Sequence, residues 1–276
     1  MERIHCFRNK LPNLWEPHLS GVFAYYRDAV HFHYLHNNSV YALNCAHDTI
    51  QQIATNTDGE IALPRWWLLS NGQVPLLLMC GKELCIDLLQ RKPTQVIPTV
   101  LKEEFLYKYQ NYELLPEKRI DIEPYPFGEY SLSAKGAWGY LCKKNGKEVW
   151  HFKGRASLAT DIHFRNNSLY WGTSGAGGYF YILDLESGKA KLSLQTGGTH
   201  TFCQSGDLCY IGRRIKNKSS IACVSLAEAK VVEEFPLDGV FTEDSAIYLH
   251  HSTLYVVTFS PQGQKERSLI LTVLRC

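Results

Sequence analysis

The chain has 276 residues, with Lys+Arg 29 against Asp+Glu 27 and a formal net charge of +2. That balance excludes a general attraction to nucleic acid or to an anionic membrane. A hydrophobic content of 45%, with 12% aromatic residues, excludes a disordered chain and suits a β-rich globular one.

The first ten residues, Met1 to Lys10, have no apolar run behind their charges and do not read as a secretory signal. Arg3-Ile-His-Cys-Phe7 reads instead as a strand. The longest apolar runs, Val74 to Cys80 and Leu269 to Leu274, fall far short of the roughly 20 residues that span a bilayer. Nine cysteines are scattered without a framework. An odd number of them and no export signal predict reduced, mostly buried thiols in a cytoplasmic protein.

From there the chain repeats itself. A first unit of short strands runs from about Leu19 to Thr55 and a second from about Ile61 to Leu101. The clearest unit lies between Thr160 and His200. Asp161-Ile-His-Phe164 turns at Asn166-Asn167 into Ser168-Leu-Tyr-Trp-Gly-Thr173. Gly175-Ala-Gly-Gly178 leads to Tyr179-Phe-Tyr-Ile-Leu-Asp184, and the turn Glu186-Ser-Gly188 leads to Lys189–Leu194. Runs of β-branched, aromatic and aliphatic residues between Asn, Gly and Ser turns describe a four-stranded antiparallel meander. Its third strand recurs in runs ending at Asn44, Asp87, Cys142, Asp184, Ser225 and Thr272. The spacings are about 41 to 55 residues, the length of a β-propeller blade. The expected fold is therefore all-β: a single closed propeller over residues 1–276, with six blades, or seven as the alternative count. The last unit starts near Val240 and holds only three strands, so the N-terminal strand is expected to complete it and close the ring.

The long interval holds an insert, Leu101 to Gly128, about a dozen residues beyond what a blade needs. It is rich in aromatic residues and proline, and reads as an elaborated connection with a short helix over Lys102–Leu115. Its rings Tyr107, Tyr109, Tyr112, Tyr125 and Phe127 have the composition of an interface hot spot.

Two stretches carry a further likeness. Gly139-Tyr-Leu-Cys-Lys-Lys-Asn-Gly146-Lys-Glu-Val-Trp150 and Tyr181-Ile-Leu-Asp184-Leu-Glu-Ser-Gly188-Lys189 resemble repeats of the quinoprotein (PQQ-like) β-propellers, and Tyr41-Ala-Leu-Asn44 is similar to their first half. The resemblance implies a turn glycine at positive φ and a tryptophan packed between neighbouring blades. It does not bring the quinone cofactor with it, because those enzymes stack the quinone on a vicinal disulfide and this chain has no adjacent cysteines. No cofactor is expected.

His31-Phe-His33 places two imidazoles on one strand face, the minimal start of a metal site. No carboxylate or cysteine stands at diagnostic spacing, so packed, hydrogen-bonded histidines are the expectation there, as at Cys45-Ala-His47 and His250-His251. Gly172 to Gly178 lacks the Gly-Lys-Ser/Thr ending and the following helix of a phosphate loop, and reads as a hairpin. Arg213, Arg214, Lys216 and Lys218 form the sharpest charge cluster, in an expected loop suited to an acidic partner. No catalytic residue is singled out. The expected function is a non-enzymatic protein-binding module, an interaction scaffold or an inhibitor of the immunity type, and a monomer. The alternative is a small enzyme or a carbohydrate or small-ligand binder, with its site at the mouth of the central channel.

Overall fold

The computed structural model describes residues 1–10, 23–26, 29–36, 39–55, 66–70, 75–79, 84–87, 92–95, 108–109, 112–113, 125–127, 129–134, 139–153, 158–165, 167–174, 178–197, 202–242, 245–261 and 268–276. Strand β1 (Glu2–Lys10) opens the chain. Strands β2 (Phe23–Tyr26), β3 (Val30–His36), β4 (Ser39–Asn44) and β5 (Thr49–Thr55) follow, then β6 (Trp66–Ser70), β7 (Pro75–Met79), β8 (Leu84–Asp87) and β9 (Lys92–Gln95). Two short strands, β10 (Lys108–Tyr109) and β11 (Tyr112–Glu113), fall in the insert. Next come β12 (Tyr125–Phe127), β13 (Tyr130–Ala134), β14 (Gly139–Lys144) and β15 (Lys147–Lys153). Strands β16 (Leu158–Arg165), β17 (Ser168–Ser174), β18 (Tyr179–Asp184) and β19 (Ala190–Gln195) follow, then β20 (Phe202–Ser205), β21 (Leu208–Ile215), β22 (Lys218–Ser225) and β23 (Lys230–Leu237). Strands β24 (Ala246–His250), β25 (Thr253–Phe259) and β26 (Ser268–Arg275) end the chain. Among the described residues these strands form six four-stranded antiparallel sheets, five of them simple meanders, and one two-stranded sheet, β10-β11. The fold is all-β.

The chain divides into two compact units, Met1–Tyr109 with Asp244–Cys276, and Gln110–Glu243. In the first, the sheet order β1-β26-β25-β24 joins the two ends of the chain. Strand β1 runs antiparallel to β26, with Cys6 opposite Thr272 and Lys10 opposite Ser268. The N-terminal strand thus supplies the fourth strand of the C-terminal sheet, as the three-strand length of the last unit predicts. His5 reaches from β1 to the β4–β5 turn, its Nε2 lying 2.8 and 3.0 Å from the two oxygens of the Asp48 carboxylate.

In the second unit the alternation of each strand sorts its side chains onto two faces. Leu169, Trp171, Tyr181 and Leu183 pack with Leu132, Cys142 and Trp150 of the preceding sheet. Tyr170, Phe180, Ile182 and Leu194 pack with Phe202, Cys209, Ile211, Ala222 and Val224 of the following one. Sheet β16–β19 is therefore buried on both faces, which its nearly unbroken apolar third strand requires. Trp150 behaves as the repeat motif implies. Its Nε1–H donates to the Leu185 carbonyl at 2.7 Å, and its ring covers the turn of the next sheet. Gly188 in that turn has φ +66, and a Cβ there would lie 2.5 Å from Trp150 Cδ2. One glycine thus satisfies both the turn and the tryptophan. Asp184 ties the same turn together by accepting from the Ser187 amide at 2.9 Å and the Ser187 hydroxyl at 2.8 Å. Those two bonds, reinforced by Lys191, hold its carboxyl below the usual range.

A bulge recurs where the third strand meets the outermost strand. It falls after Cys142, Ile182, Cys223 and, reading β26 against β1, after Val273. In each case the break comes two residues before the third strand ends. The structural equivalents of Asp184 and Ser225 are therefore Lys144 and Arg275, not Cys142 and Thr272. The β4–β5 ladder also breaks, but earlier in its third strand, after Val40, leaving Ile53 over. The residues left over by the other four bulges are Val149, Lys191, Val232 and Ile4. The three apolar ones, 44%, 47% and 44% exposed respectively for Val149, Val232 and Ile4, are the exposed large hydrophobic side chains of the described residues. Bulging turns a single side chain outward and interrupts the ladder edge, a known protection against edge-to-edge pairing.

The short helix expected over Lys102–Leu115 is not formed where β10 and β11 lie, since Tyr109 and Tyr112 occupy extended backbone, which aromatic residues favour. The last residues of the insert, Tyr125–Phe127, form β12.

Cys45, Cys142, Cys203, Cys209 and Cys223 are buried thiols, whereas Cys6 and Cys276 are exposed. Burial pushes Cys142 up to about 11 and raises Cys209 well above its ordinary value. Cys45 is raised by burial and, secondarily, by the Asp48 carboxylate. Native alkylation near neutral pH is expected to label Cys6 and Cys276 quickly and those five only on unfolding, because the thiolate is the reactive form. Under denaturing, non-reducing conditions all nine cysteines should label; an intramolecular disulfide would contradict this.

Candidate interaction surface

The basic cluster lies on a hairpin rather than in a loop. The β21–β22 ladder continues through Arg213 opposite Ser220, Arg214 opposite Ser219 and Ile215 opposite Lys218. Only Lys216 and Asn217 remain for the turn, at φ +48 and +66. Two central residues at positive φ match the twist of antiparallel strands, and Asn is suited to that backbone. Lysine is not. The β14–β15 turn solves the same problem with Asn145-Gly146, at φ +49 and +78. Left-handed backbone costs a residue with a Cβ roughly 1–2 kcal/mol, so Lys216 holds its place against local preference.

The base of the hairpin is held from both sides. Arg213 donates from Nε to the Gln195 carbonyl at 2.9 Å and from Nη1 to Glu234 at 2.6 Å, and Ser220 Oγ also donates to Glu234. The Arg214 amide donates to the Thr196 carbonyl at 2.8 Å. Gly197, at φ +75, lets the chain pass so close to the Arg214 carbonyl that any Cβ there would overlap its oxygen. Phe241, fully buried, lies against Gly212, and its amide donates to Ser219 Oγ at 2.7 Å. At the tip, Arg214 reaches back to Asn217 Oδ1 at 3.3 Å. Lys216 and Lys218 are exposed, and no ion pair joins them to a carboxylate among the described residues. Of the four basic residues singled out in the sequence, Arg213 thus serves the fold, while Arg214, Lys216 and Lys218 form the presented tip.

The aromatic candidates are placed differently. Tyr109 lies on β10, Tyr112 on β11, and Tyr125 and Phe127 on β12, where Tyr125 stands opposite Leu132 and Phe127 opposite Tyr130. Tyr107 lies outside the described residues.

His31 and His33 both lie on β3. His31 is buried, with Nδ1 3.0 Å from the Ala29 carbonyl, and stands opposite Asn44. Among the described residues no three His, Cys, Asp or Glu side chains come together as a metal-binding group. His250 and His251 lie side by side at the β24–β25 turn, with ring centroids 4.2 Å apart and planes inclined at 59°. Burial, then the neighbouring ring, lowers the His250 pKa.

Sequence reading missed the His5–Asp48 pair, which joins residues 43 positions apart. It also missed the strained lysine. No residue preference marks that turn, since Lys-Asn is a poor sequence for two central residues at positive φ.

No family model matches the sequence, and no curated protein matches it. Several solved structures resemble the chain. The computationally designed Ika8 protein is similar at 9% identity, over 94% of this chain and 71% of that one, with a TM-score of 0.40. BamB from Moraxella catarrhalis is similar at 12% identity, over 89% and 70% of the two chains, with a TM-score of 0.38. A chain of the Mitotic Checkpoint Complex is similar at 10% identity, over 100% and 92%, with a TM-score of 0.41. Likenesses of this strength identify no relative of the chain.

Proposed function

We propose that the six sheets close into a single six-bladed propeller that acts in the cytoplasm as a monomeric, non-enzymatic protein-binding module. The observation that carries this reading is the double burial of sheet β16–β19. When both faces of a sheet are consumed by its neighbours, the molecule presents turns and strand connections on a rigid support, the arrangement from which recognition surfaces are built. The aromatic insert at 101–128 is the largest of these connections, and its tyrosines suit an interface anchor.

Affinity capture from native lysate, followed by reconstitution of the recovered protein from purified components, tests the reading. The expected result is one protein that binds the purified chain at fixed stoichiometry, with binding lost in the Tyr109→Ala/Tyr112→Ala double variant while its melting temperature stays within a few degrees. Failure of every recovered protein to reconstitute would overturn the module. A double variant that unfolds, or binds unchanged, would remove the insert from the interface.

A further inference from the structure

We propose that the tip of the β21–β22 hairpin is the docking point for an acidic protein segment; this deepens the protein-binding reading and rests on it. Three observations converge there. The tip carries Arg214, Lys216 and Lys218 within five residues, with Lys216 and Lys218 exposed. Its base is immobilised by the Thr196 carbonyl, the Gln195 carbonyl and Glu234, so the charges sit on a rigid support and lose little freedom on binding. Lys216 is retained at φ +48, where Asn or Gly would suit the turn better. A position that keeps a poorly suited residue at an exposed tip points to use of its side chain.

Among the described residues, the acid nearest the tip along the β22–β23 ladder is Asp238, which follows Leu237, the register partner of Ser219. The tip cations outnumber it. An acidic peptide fits this site better than a polynucleotide does. The three tip cations lie within five residues of a single hairpin in a chain whose charges nearly balance, whereas a polynucleotide requires an extended basic stripe. Arg214, braced by Asn217, is poised for carboxylate pairing, with Lys216 and Lys218 as point charges beside it.

The test uses a fluorescein-labelled decaglutamate peptide, read by anisotropy at low and physiological salt. The Lys216→Glu/Lys218→Glu variant should bind at least tenfold more weakly than the unmodified chain. The charge-matched Lys147→Glu/Lys153→Glu variant, on exposed positions of β15, should change binding less than twofold. Lys216→Asn should weaken the peptide while raising the melting temperature, a combination that a purely structural lysine does not produce. Equal losses in both reversal variants, no binding at either salt, a lowered melting temperature in Lys216→Asn, or a decathymidylate bound as tightly as the peptide would each overturn the proposal. Should the tip-reversed protein still bind the reconstituted partner unchanged, the tip proposal falls and the protein-binding module stands.

Discussion

Removal of residues 1–10 is expected to destabilise the chain by about 4 kcal/mol, out of the roughly 5–15 kcal/mol available to a folded domain. The side chains of β1 contribute little of this, because Glu2 to Cys6 are all exposed. The loss comes from the ladder and from what it covers. Strand β26 is buried from Ser268 to Leu274, and deleting β1 turns that apolar strand into an open edge. Each net backbone hydrogen bond contributes on the order of 1 kcal/mol, and the newly open edge invites association with other chains. A melting temperature lower by about 10 °C, with aggregation on heating, is the expected readout. The His5–Asp48 pair accounts for only a small part. Both groups are partly exposed, with side-chain exposures of 43% and 30%, and His5→Ala alone should cost at most about 1 kcal/mol. A truncated chain that melts like the intact one would show that β1 does not complete the terminal sheet.

The second large effect belongs to Trp150. Trp150→Ala should cost about 3–5 kcal/mol, since it empties a buried site between two sheets and removes the donor to the Leu185 carbonyl. Gly188→Ala should cost about 3 kcal/mol, part from positive φ and part from a methyl group forced into the indole. The indole cannot move aside without breaking its hydrogen bond. In the Trp150→Ala background the overlap is gone and only the backbone cost of about 1 kcal/mol remains. Chemical denaturation of the four proteins should therefore show about 2 kcal/mol of coupling between the two substitutions. Strict additivity would mean that the ring does not rest on the turn.

Particular residues explain how far the sequence could be read. Strands β16 to β19 were legible because their alternation, turn residues and strand lengths all agree, so local preference and tertiary packing ask for the same thing. Gly188 and Trp150 were legible because a short motif encodes both the turn and the ring that covers it. The register of the repeat was less so. The third strands extend different distances beyond their last apolar pair, and the bulges that mark their true ends fall on the outermost strands. Lys144 and Arg275 were thus displaced by two and three positions from the residues that looked equivalent. The basic cluster was recognised as a cluster but placed in a loop, because Lys-Asn is a poor sequence for a two-residue turn. Backbone strain of this kind is invisible to residue preference. The His5–Asp48 contact joins the first strand to a distant turn, and no local pattern records it. The insert's aromatic content is plain in the sequence, yet composition cannot say which rings face a partner.

Amide hydrogen exchange across residues 1–10 tests most directly whether the two ends of the chain form one sheet, on which ring closure depends. In an antiparallel edge strand alternate amides point toward the partner, so about half of the β1 amides should be protected, on the timescale of β25 and β26. The remaining half should exchange at once. Complete exchange of every amide from Glu2 to Lys10 at the earliest time, while β24 to β26 stay protected, would contradict the joined ends and, with them, the proposed ring closure.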